Sequence, residues 1–391
     1  MIAAGFVSSI ITARFLGPEG RGVFFYWTTI AALAIQFGNL GLHASNTYLL
    51  TKGRAPLSEL AKNSLWVSLL GGVVLGCILV LSLWLTTRGI MDRMSLLLPT
   101  LALIPTGLYF LLSTNLLVAE NRIGEYNGFE LFNRYLGLAA ILAAIWHWRS
   151  PQAVLVAMSI AAVAVCLTLY RRLSILGGGG KGNFRLLLEG FGYALRAYLA
   201  GALGFAVLRL NTILLERYTD AATLGTWSIA AQLLDFIVVI PSTIALVLLP
   251  KIMRSDRPYQ MMQSQVRTVA IVLAFICIIA TLLGHQAIVL VYGERFAESY
   301  KMLLWGLPGI FALGLTSILS QYLASEGIPL RLVFIWMIGL VVELVLAIWL
   351  IPSHGGIGAM MSLSAVYLLI FGMVWALAAN HHRTQRKKIN G

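Results

Sequence analysis

Long apolar runs alternate with short polar segments from one end of the chain to the other. Many runs reach the roughly 20 residues that a helix needs to cross a bilayer. Charged residues, glycine or proline bound them, as in loops between membrane spans. The candidate spans are Met1–Phe15, Val23–Tyr48, Leu65–Leu85, Leu96–Val118, Gly128–Trp146, Ala153–Tyr170, Gly190–Leu215, Leu224–Leu249, Val269–Val291, Leu303–Ala324, Leu332–Ile351 and Gly356–Ala378. The pattern predicts an all-α polytopic membrane protein with about 12 transmembrane helices.

The segment ARFLGPEGRG, residues 13–22, separates the first two candidate spans. Proline lacks an amide hydrogen and moves the residue before it out of the helical region, so Gly17-Pro18 cannot continue a helix. We therefore expect a turn over this segment. The first apolar run starts directly at Met1, and no signal-peptide cleavage pattern follows it. Because that run is short, we expect it to represent only part of a helix.

A glycine run, Gly177 to Gly180, with Arg171, Arg172, Lys181 and Arg185 around it, divides the chain into two halves of similar length. Glycine-rich segments of this kind act as flexible linkers. The expected organisation is a six-helix bundle over 1–172, a basic cytoplasmic linker over 173–188, a second six-helix bundle over 189–380 and a basic cytoplasmic tail over 381–391.

Composition supports a membrane protein and argues against several kinds of site. The chain is 59% hydrophobic and 11% charged, far from the usage of a soluble domain. Its cysteines, Cys77, Cys166 and Cys277, lie inside apolar runs, where we expect them to pack. The six histidines are scattered without metal-ligand spacing, and the sequence contains no phosphate-binding loop. We therefore expect no metal, no ATP hydrolysis and no enzymatic activity.

Lysine and arginine are more frequent in the loops on the side of the two termini than in the loops on the other side. The positive-inside rule then places both termini in the cytoplasm and puts Arg14 and Arg21 in an outside loop. The formal net charge of +13 reflects this topology. Because the basic residues are spread over separate loops, we expect no nucleic-acid partner.

The two halves show traces of an internal repeat. Arg14, Gly22 and Thr29 fall opposite Arg217, Gly225 and Gln232 at a shift of 203 positions, and Ala119 falls opposite Ala324 at a shift of 205. The first match lies at the turn between the first two spans of each half. We therefore expect ARFLGPEGRG to open a repeated six-helix unit, and an even number of helices makes the repeat parallel.

The sequence resembles the oligosaccharide flippases of the polysaccharide transporter family, the Wzx-type branch of the MOP superfamily that also holds the MATE exporters. The residues that carry the resemblance are the hairpin signature Arg14, Gly17, Pro18 and Gly22, then Gly225, Ala230 and Leu249-Pro250, and finally the stretch Ile351 to Ala359, IPSHGGIGA. It implies two six-helix bundles around a V-shaped central cavity. The chain departs from the family in its shorter N-terminus and in Asn211, where related sequences often carry an acid.

The resemblance also implies a function. Such proteins move a polyprenyl-pyrophosphate-linked oligosaccharide from the cytoplasmic to the outer leaflet by alternating access, for the synthesis of surface polysaccharides such as O-antigen. The implied partners are the lipid-linked oligosaccharide, membrane lipids, a polysaccharide polymerase and glycosyltransferases. The implied location is the cytoplasmic (inner) membrane, where we expect a monomer.

Three arginines lie within predicted spans: Arg134, Arg196 and Arg209. A charge near the bilayer centre is costly, so such residues usually mark pathways or pairs. Arginine offers a planar fork of donors that suits phosphate oxygens, and we expect the three to bind the diphosphate headgroup. Alternatively, Glu130 and Arg134 form an internal salt bridge at the favourable i,i+4 spacing, and Arg196 extends to lipid headgroups.

Three acids also lie within spans: Glu130, Asp235 and Glu343. Each is a candidate for coupling transport to a proton or sodium gradient, because a buried carboxyl without a fixed cation can exchange a proton. The alternative is that Asp235 or Glu343 neutralises an arginine. We expect no other cofactor.

Polar side chains form a stripe on the second span and another on the eighth. The first stripe contains Thr29, Gln36 and Asn39, and the second contains Ser228, Gln232, Asp235 and Ser242. Equivalent stripes in the two halves favour a hydrated cavity lined by groups that suit sugar hydroxyls. Tyr26, Trp27 and Trp227 either stack on sugars or belong to the aromatic belt at the membrane interface.

Two other functions compete with the flippase. A MATE-like multidrug or cation antiporter would need an anionic cavity, whereas this chain has arginines within its spans. A membrane glycan polymerase or ligase would need a long outer loop with paired catalytic residues, and the outside loops here are short.

Overall fold

We describe a computed structural model that covers residues 2–86, 93–178, 182–255, 257–325 and 329–390. In these ranges the chain forms α-helices and one short 3-10 turn, Glu294–Phe296, and no strand. The helices are α1 (Ile2–Gly38), α2 (Leu42–Thr51), α3 (Leu57–Thr86), α4 (Met94–Ala119), α5 (Ile123–His147), α6 (Pro151–Gly177), α7 (Arg185–Tyr218), α8 (Ala221–Met253), α9 (Pro258–Tyr292), α10 (Ser299–Ser325) and α11 (Pro329–Asn390).

Most of these helices are long and apolar enough to cross a membrane. Across the described residues, eight qualify individually, and the bent pair Ala3–Gly38 and Leu42–Thr51 makes a ninth. One of the eight, Leu330–Thr384, has 55 residues, roughly twice the length that a bilayer needs, and it is broken at Gly355. The prediction of an all-α polytopic membrane protein is confirmed.

The chain packs as two compact units, Met1–Phe205 (unit 1) and Ala206–Gly391 (unit 2). Helix α7 runs through this division, so its first part belongs to unit 1 and its last part to unit 2. The predicted linker over 173–188 overlaps the last residues of α6, which ends at Gly177, and the first turn of α7, which begins at Arg185; residues 179–181 of it lie outside the described ranges. The predicted domain boundaries stay a prediction.

The predicted turn after the first span is present, and it is sharper than expected. Gly17 alone leaves the helical conformation, with φ 69° and ψ −179°, and Pro18 begins the next helical segment. The guanidinium of Arg21 donates hydrogen bonds to Thr12 and, at 3.5 Å, to Ser9. Residues 9 and 21 would be about 18 Å apart in a straight helix, so the chain folds back at Gly17. Residues 18–22, expected in a loop, are helical because Pro18 is well suited to a first helical position.

A second reversal divides α11 at Gly355, where φ is 55° and ψ is −132°. A methyl group at Gly358 would clash with the backbone carbonyl of Leu350, eight positions earlier. In a straight helix these residues would lie about 12 Å apart. The IPSHGGIGA stretch therefore forms a tight helical hairpin between the last two predicted spans.

The second predicted span, Val23–Tyr48, is bent rather than continuous. Helix α1 ends at Gly38, α2 begins at Leu42, and their axes differ by 45°. Asn39 lies in the turn between them, so it does not extend the helical stripe that we expected with Thr29 and Gln36. The two glycines at this turn, Gly38 and Gly41, explain the break, and Gly41 adopts a left-handed conformation with φ 76°.

Each unit packs around one central helix. In unit 2, α10 is the most buried of the membrane-length helices and packs against α8, α9 and α11. A methyl group at Gly309 would lie 2.6 Å from the Cα of Ser364, so α10 and α11 approach closely there. In unit 1, α4 occupies the equivalent place and packs against α1, α2, α3 and α6.

The helix boundaries support the internal repeat. Gly17 and Asp220 differ by the predicted 203 positions, and each is the last residue before a new helical segment. Helix α4 starts at Met94 and α10 starts at Ser299, which differ by the predicted 205 positions. The repeat is thus visible in element length as well as in the few shared residues.

Candidate functional site

The charged residues predicted within the spans of unit 2 lie close together. Helix α7 carries Arg209 and α8 carries Asp235, and their side chains form an ion pair at 3.2 Å between Nη2 and Oδ2. The side chains of Arg209 and Asp235 are 19% and 29% exposed, so the pair is only partly buried. The two roles considered for Asp235 are ion coupling and neutralisation of an arginine. The ion pair with Arg209 fits the second role.

Glu343, expected to stand alone on an apolar helix, lies in a polar cluster. It is fully buried, and its Oε1 accepts a hydrogen bond of 2.9 Å from Ser362 on the other segment of α11. Asn211 of α7 lies beside the same carboxyl group and donates a hydrogen bond of 3.0 Å to the backbone oxygen of Ala359. Glu343 Oε2 and Asn211 Oδ1 are buried and accept no hydrogen bond from the described residues. The site therefore presents two buried oxygens without a donor.

Tyr367 lies near both the ion pair and the buried acid. This buried tyrosine of α11 is close enough to Arg209, Asp235 and Glu343 to interact electrostatically with all three. The hairpin at Gly355 makes this possible, because it returns the last segment of α11 past the segment that carries Glu343. We call this set the unit 2 polar cluster: Arg209, Asn211, Asp235, Glu343, Ser362 and Tyr367.

In unit 1, Glu130 and Arg134 lie on one face of α5, as predicted. Their closest charged atoms are 4.0 Å apart, and the side chains are 17% and 48% exposed. The pair is looser than the Arg209–Asp235 pair, and its arginine is more exposed. Arg196 lies on α7, and its side chain is outside the described part of the structure.

The polar stripe of unit 1 is largely buried. Thr29 and Asn39 are buried, whereas Gln36 is partly accessible. Asn39 and the ring of His43 are hydrogen bonded to each other, and the hydroxyl of Tyr198 on α7 donates to the backbone oxygen of Gln36. Asn39 therefore stabilises the α1–α2 turn.

On α8, the predicted stripe divides into a buried and an accessible part. Ser228 is fully buried and donates to the backbone oxygen of Gly225 within its own helix, whereas Gln232 is partly accessible. The aromatic residues that we assigned to sugar stacking or to the interface belt, Tyr26, Trp27 and Trp227, are buried among other side chains. Buried rings face neither lipid headgroups nor a sugar, so these three residues pack the interior.

The sequence analysis missed Arg21. We expected it in an outside loop, but its side chain is 4% exposed and bonds to Thr12 and Ser9 across the hairpin. Among the other signature residues, Gly22 is buried and Arg14 is exposed. Polar residues at positions 8, 9 and 12 of the first apolar run were the available signal. Within the described residues, no group of three or more metal-ligating side chains is found.

Comparison with known proteins identifies the family. A family model described as polysaccharide biosynthesis protein matches residues 1–256, well over half of the chain. The chain belongs to this family. No curated protein matches it significantly by sequence.

Solved structures of transporters share the fold. An inward-facing multidrug resistance MATE family transporter of the MOP superfamily superposes with a TM-score of 0.77 at 12% identity, over 98% of this chain and 95% of that one. The lipid II flippase MurJ in an inward closed conformation gives 0.69 at 14% identity, over 95% and 86%. A variant of the Vibrio cholerae MATE transporter VcmN gives 0.63 at 15% identity, over 98% and 94%.

These comparisons confirm the resemblance seen in the sequence and the MATE-like helical fold. The family is described as polysaccharide biosynthesis protein, and the fold is shared with multi-pass membrane transporters and a lipid II flippase. At these identities the structural likeness defines the fold alone, so the substrate has to be argued from the residues of this chain.

Proposed function

We propose that this protein is a flippase that moves a polyprenyl-diphosphate-linked oligosaccharide across the cytoplasmic membrane, for the synthesis of a surface polysaccharide. The observation that carries the proposal is the match of residues 1–256 to the polysaccharide biosynthesis family, in a chain with the fold of membrane transporters. The proposed orientation has both termini in the cytoplasm, as the positive-inside rule requires. The protein would work as a monomer beside the polymerase and glycosyltransferases of its pathway.

In this proposal the diphosphate headgroup is bound by Arg134, Arg196 and Arg209. Arginine keeps its charge under all physiological conditions and can donate two parallel hydrogen bonds to phosphate oxygens. The ion pair of Arg209 with Asp235 holds the guanidinium in place before substrate binds, and the side chain of Arg209 is partly exposed. Glu130 supports Arg134 in the same way in unit 1.

We further propose that Glu343 couples transport to a proton or sodium gradient. An ionised carboxylate buried without a counter-charge is strongly unfavourable, so Glu343 has to bind a proton or a cation. The free Oε2 of Glu343 and Oδ1 of Asn211, together with the Ser362 hydroxyl, offer the oxygen ligands that sodium prefers. The same free oxygen of Glu343 can carry a proton, and the gradient that drives transport distinguishes the two ions.

The headgroup assignment is tested by replacing Arg134, Arg196 and Arg209 singly with alanine. Losing a charge-assisted hydrogen bond to phosphate should lower surface glycan about tenfold in each variant, with normal membrane insertion. Arg254→Ala is the matched control, because Arg254 is exposed at the end of α8. Unchanged surface glycan in all three variants would contradict the assignment.

A transport assay separates the flippase from the multidrug antiporter. Proteoliposomes containing the purified chain should translocate a fluorescent polyprenyl-diphosphate sugar and should not accumulate a cationic dye such as ethidium. Dye transport without glycan translocation would overturn the proposal in favour of the antiporter.

Ion coupling is tested in the same vesicles with Glu343→Gln, which keeps the shape of the side chain and removes its charge. We expect transport driven by an imposed sodium or pH gradient to be lost. Glu294→Gln should keep the gradient response, because Glu294 is exposed in the 3-10 turn between α9 and α10. An unchanged gradient response in Glu343→Gln would exclude Glu343 as the coupling residue.

A further inference from the structure

A long apolar groove runs along α3 on the surface of unit 1. It consists of two joined clefts of about 310 and 580 Å³, which share Leu69 of α3 and Pro105 of α4. On α3 the lining extends from Leu65 to Trp84. These positions are 19 residues apart, or about 28 Å of helix, close to the roughly 30 Å thickness of the hydrocarbon core of a bilayer.

Small residues create the floor of the groove. Gly72 and Gly76 stand four positions apart on α3 and face α4. A methyl group at Gly72 would lie 2.7 Å from Pro105, and one at Gly76 would lie 3.1 Å from Leu101. The glycines let the two helices approach closely and leave a depression between the larger, exposed side chains on either side, such as Val73.

One end of the groove is basic. Tyr170 of α6 lines that end, and the ammonium group of Lys62 lies 5.9 Å from the centre of its ring. Arg172, two positions after Tyr170, forms a bidentate pair with Glu125, which holds its guanidinium at the same end of α6. The groove therefore combines an apolar body as long as the membrane core with the ammonium group of Lys62 at one end, which suits a long hydrocarbon chain with an anionic head.

The equivalent region of unit 2 provides a contrast. The cleft between α9 and α10 has a volume of about 500 Å³ and is lined on α9 from Ala274 to Leu282, about 12 Å of helix. Ile278 in this cleft corresponds to Val73 at the 205-residue shift of the repeat. The shorter cleft covers less than half of the membrane core, so it does not match a chain that extends across a leaflet and beyond.

We propose that the α3 groove of unit 1 binds the isoprenoid chain of the lipid carrier, with the diphosphate next to Lys62 before it passes to the three arginines of the proposed headgroup site. The proposal rests on the proposed flippase function, because that function supplies a substrate with an isoprenoid chain and a diphosphate. The groove holds the hydrocarbon tail at the surface of the protein while the sugar and the diphosphate cross. Binding of an apolar chain over this length needs no polar partner, since the hydrocarbon packs against leucine, valine and glycine surfaces.

The test is photolabelling of the purified full-length chain in lipid nanodiscs with a polyprenyl diphosphate that carries a diazirine in its hydrocarbon chain. We expect label in α3 peptides that contain residues 65–84. Val73→Trp should reduce this label about tenfold, the equivalent of losing roughly two buried methylene groups, because the indole fills the groove. Val73 is exposed, so the larger side chain does not disturb the core.

Three controls define the outcome. Ile278→Trp, the counterpart in unit 2, should leave the label unchanged. A second probe is a polyprenol that carries the same diazirine and has no diphosphate. Lys62→Gln should weaken labelling by the diphosphate probe and leave labelling by this uncharged probe unchanged. Excess unlabelled polyprenyl diphosphate should compete, whereas excess phosphatidylglycerol should not. Label that is insensitive to Val73→Trp, or equal competition by phosphatidylglycerol, would overturn the proposal.

The groove and the flippase function can fail separately, because photolabelling measures binding and not translocation. A chain that labels as expected in α3 but moves no glycan contradicts the proposed function alone. Unchanged labelling of Val73→Trp in a chain that exports glycan normally contradicts the groove alone.

Discussion

The two units reverse direction at equivalent positions by different means. In unit 1 the reversal depends on Gly17, whose φ of 69° and ψ of −179° fall in a region that is essentially restricted to glycine. In unit 2 Asp220 has an ordinary extended backbone, and its side chain accepts a 2.8 Å hydrogen bond from the amide of Thr223 at the start of α8. The repeat thus retains the place of the turn and changes the chemistry that makes it.

The interiors of the two units also differ, in their charged residues. Unit 2 pairs Arg209 with Asp235, and the positions 203 residues earlier in unit 1 are Phe6 and Ala32. The equivalent helices of unit 1 pack without charges at these two positions. In the proposed function, the charges of unit 2 serve transport rather than helical packing.

The largest effect in this comparison should come from Gly17→Ala. Alanine at this φ and ψ should cost about 3 kcal/mol and weaken the unit 1 hairpin, because its Cβ collides with the backbone. A lower thermal unfolding midpoint in detergent measures the loss. Gly128→Ala is the control, because Gly128 is helical and a methyl group there meets no atom within 4 Å. Equal stability of the two variants would show that the hairpin does not depend on glycine.

An intermediate effect should come from the ion pair of unit 2. Arg209→Met leaves Asp235 without its arginine, and because the pair is partly exposed we expect a loss of about 2 kcal/mol. The double variant Arg209→Met, Asp235→Leu should recover most of the stability, because it removes both charges. A thermal-unfolding cycle of wild type, both single variants and the double variant measures the coupling.

The double variant also separates stability from transport. If the charges serve transport, the double variant should fold like the wild type and export no glycan. Two results would contradict the distinction between the charged interior of unit 2 and the uncharged positions of unit 1. One is purely additive losses of stability in the thermal-unfolding cycle, and the other is normal glycan export by the double variant.

The helical spans were predictable because they depend on local pattern. The span predicted over Leu96–Val118 is observed as α4, Met94–Ala119, and the turn at Gly17 follows from glycine and proline chemistry. The number of residues in the turn was not predictable from local pattern. It depends on whether residues 18–22 gain more from helical hydrogen bonds than from a loop, which the neighbouring helices decide.

The partners of the buried polar groups were not predictable from local pattern. Asn211 bonds to Ala359, 148 positions away, and Ser362 donates to Glu343 only because α11 reverses at Gly355. Arg21 is charged and follows a turn, so sequence favours an exposed place for it. Its burial depends on hydroxyl groups of the preceding helical segment, which the sharp hairpin brings within reach.

The smallest effect should come from the cap that replaces glycine in unit 2. Hydrogen bonding to Thr223 lowers the pKa of Asp220 below its ordinary value. A lowered pKa in the folded state means that the carboxylate contributes stability above its ordinary pKa and loses this contribution as the pH falls through the lowered pKa. Asp220→Ala should therefore lose about 1 kcal/mol near neutral pH, against about 3 kcal/mol for Gly17→Ala.

Asp220→Asn separates the contribution of the charge to stability from the contribution of the hydrogen bond. Asparagine also accepts a hydrogen bond from the first turn of a helix, so this variant should be nearly as stable as the wild type near neutral pH. On acidification the wild type should lose the contribution of the ionised cap, and Asp220→Asn should not lose it. Thermal midpoints of the three proteins between neutral and strongly acidic pH measure this. A larger loss for Asp220→Ala than for Gly17→Ala would reverse the comparison, because the unit 2 hairpin would then depend more on its cap than the unit 1 hairpin depends on its glycine.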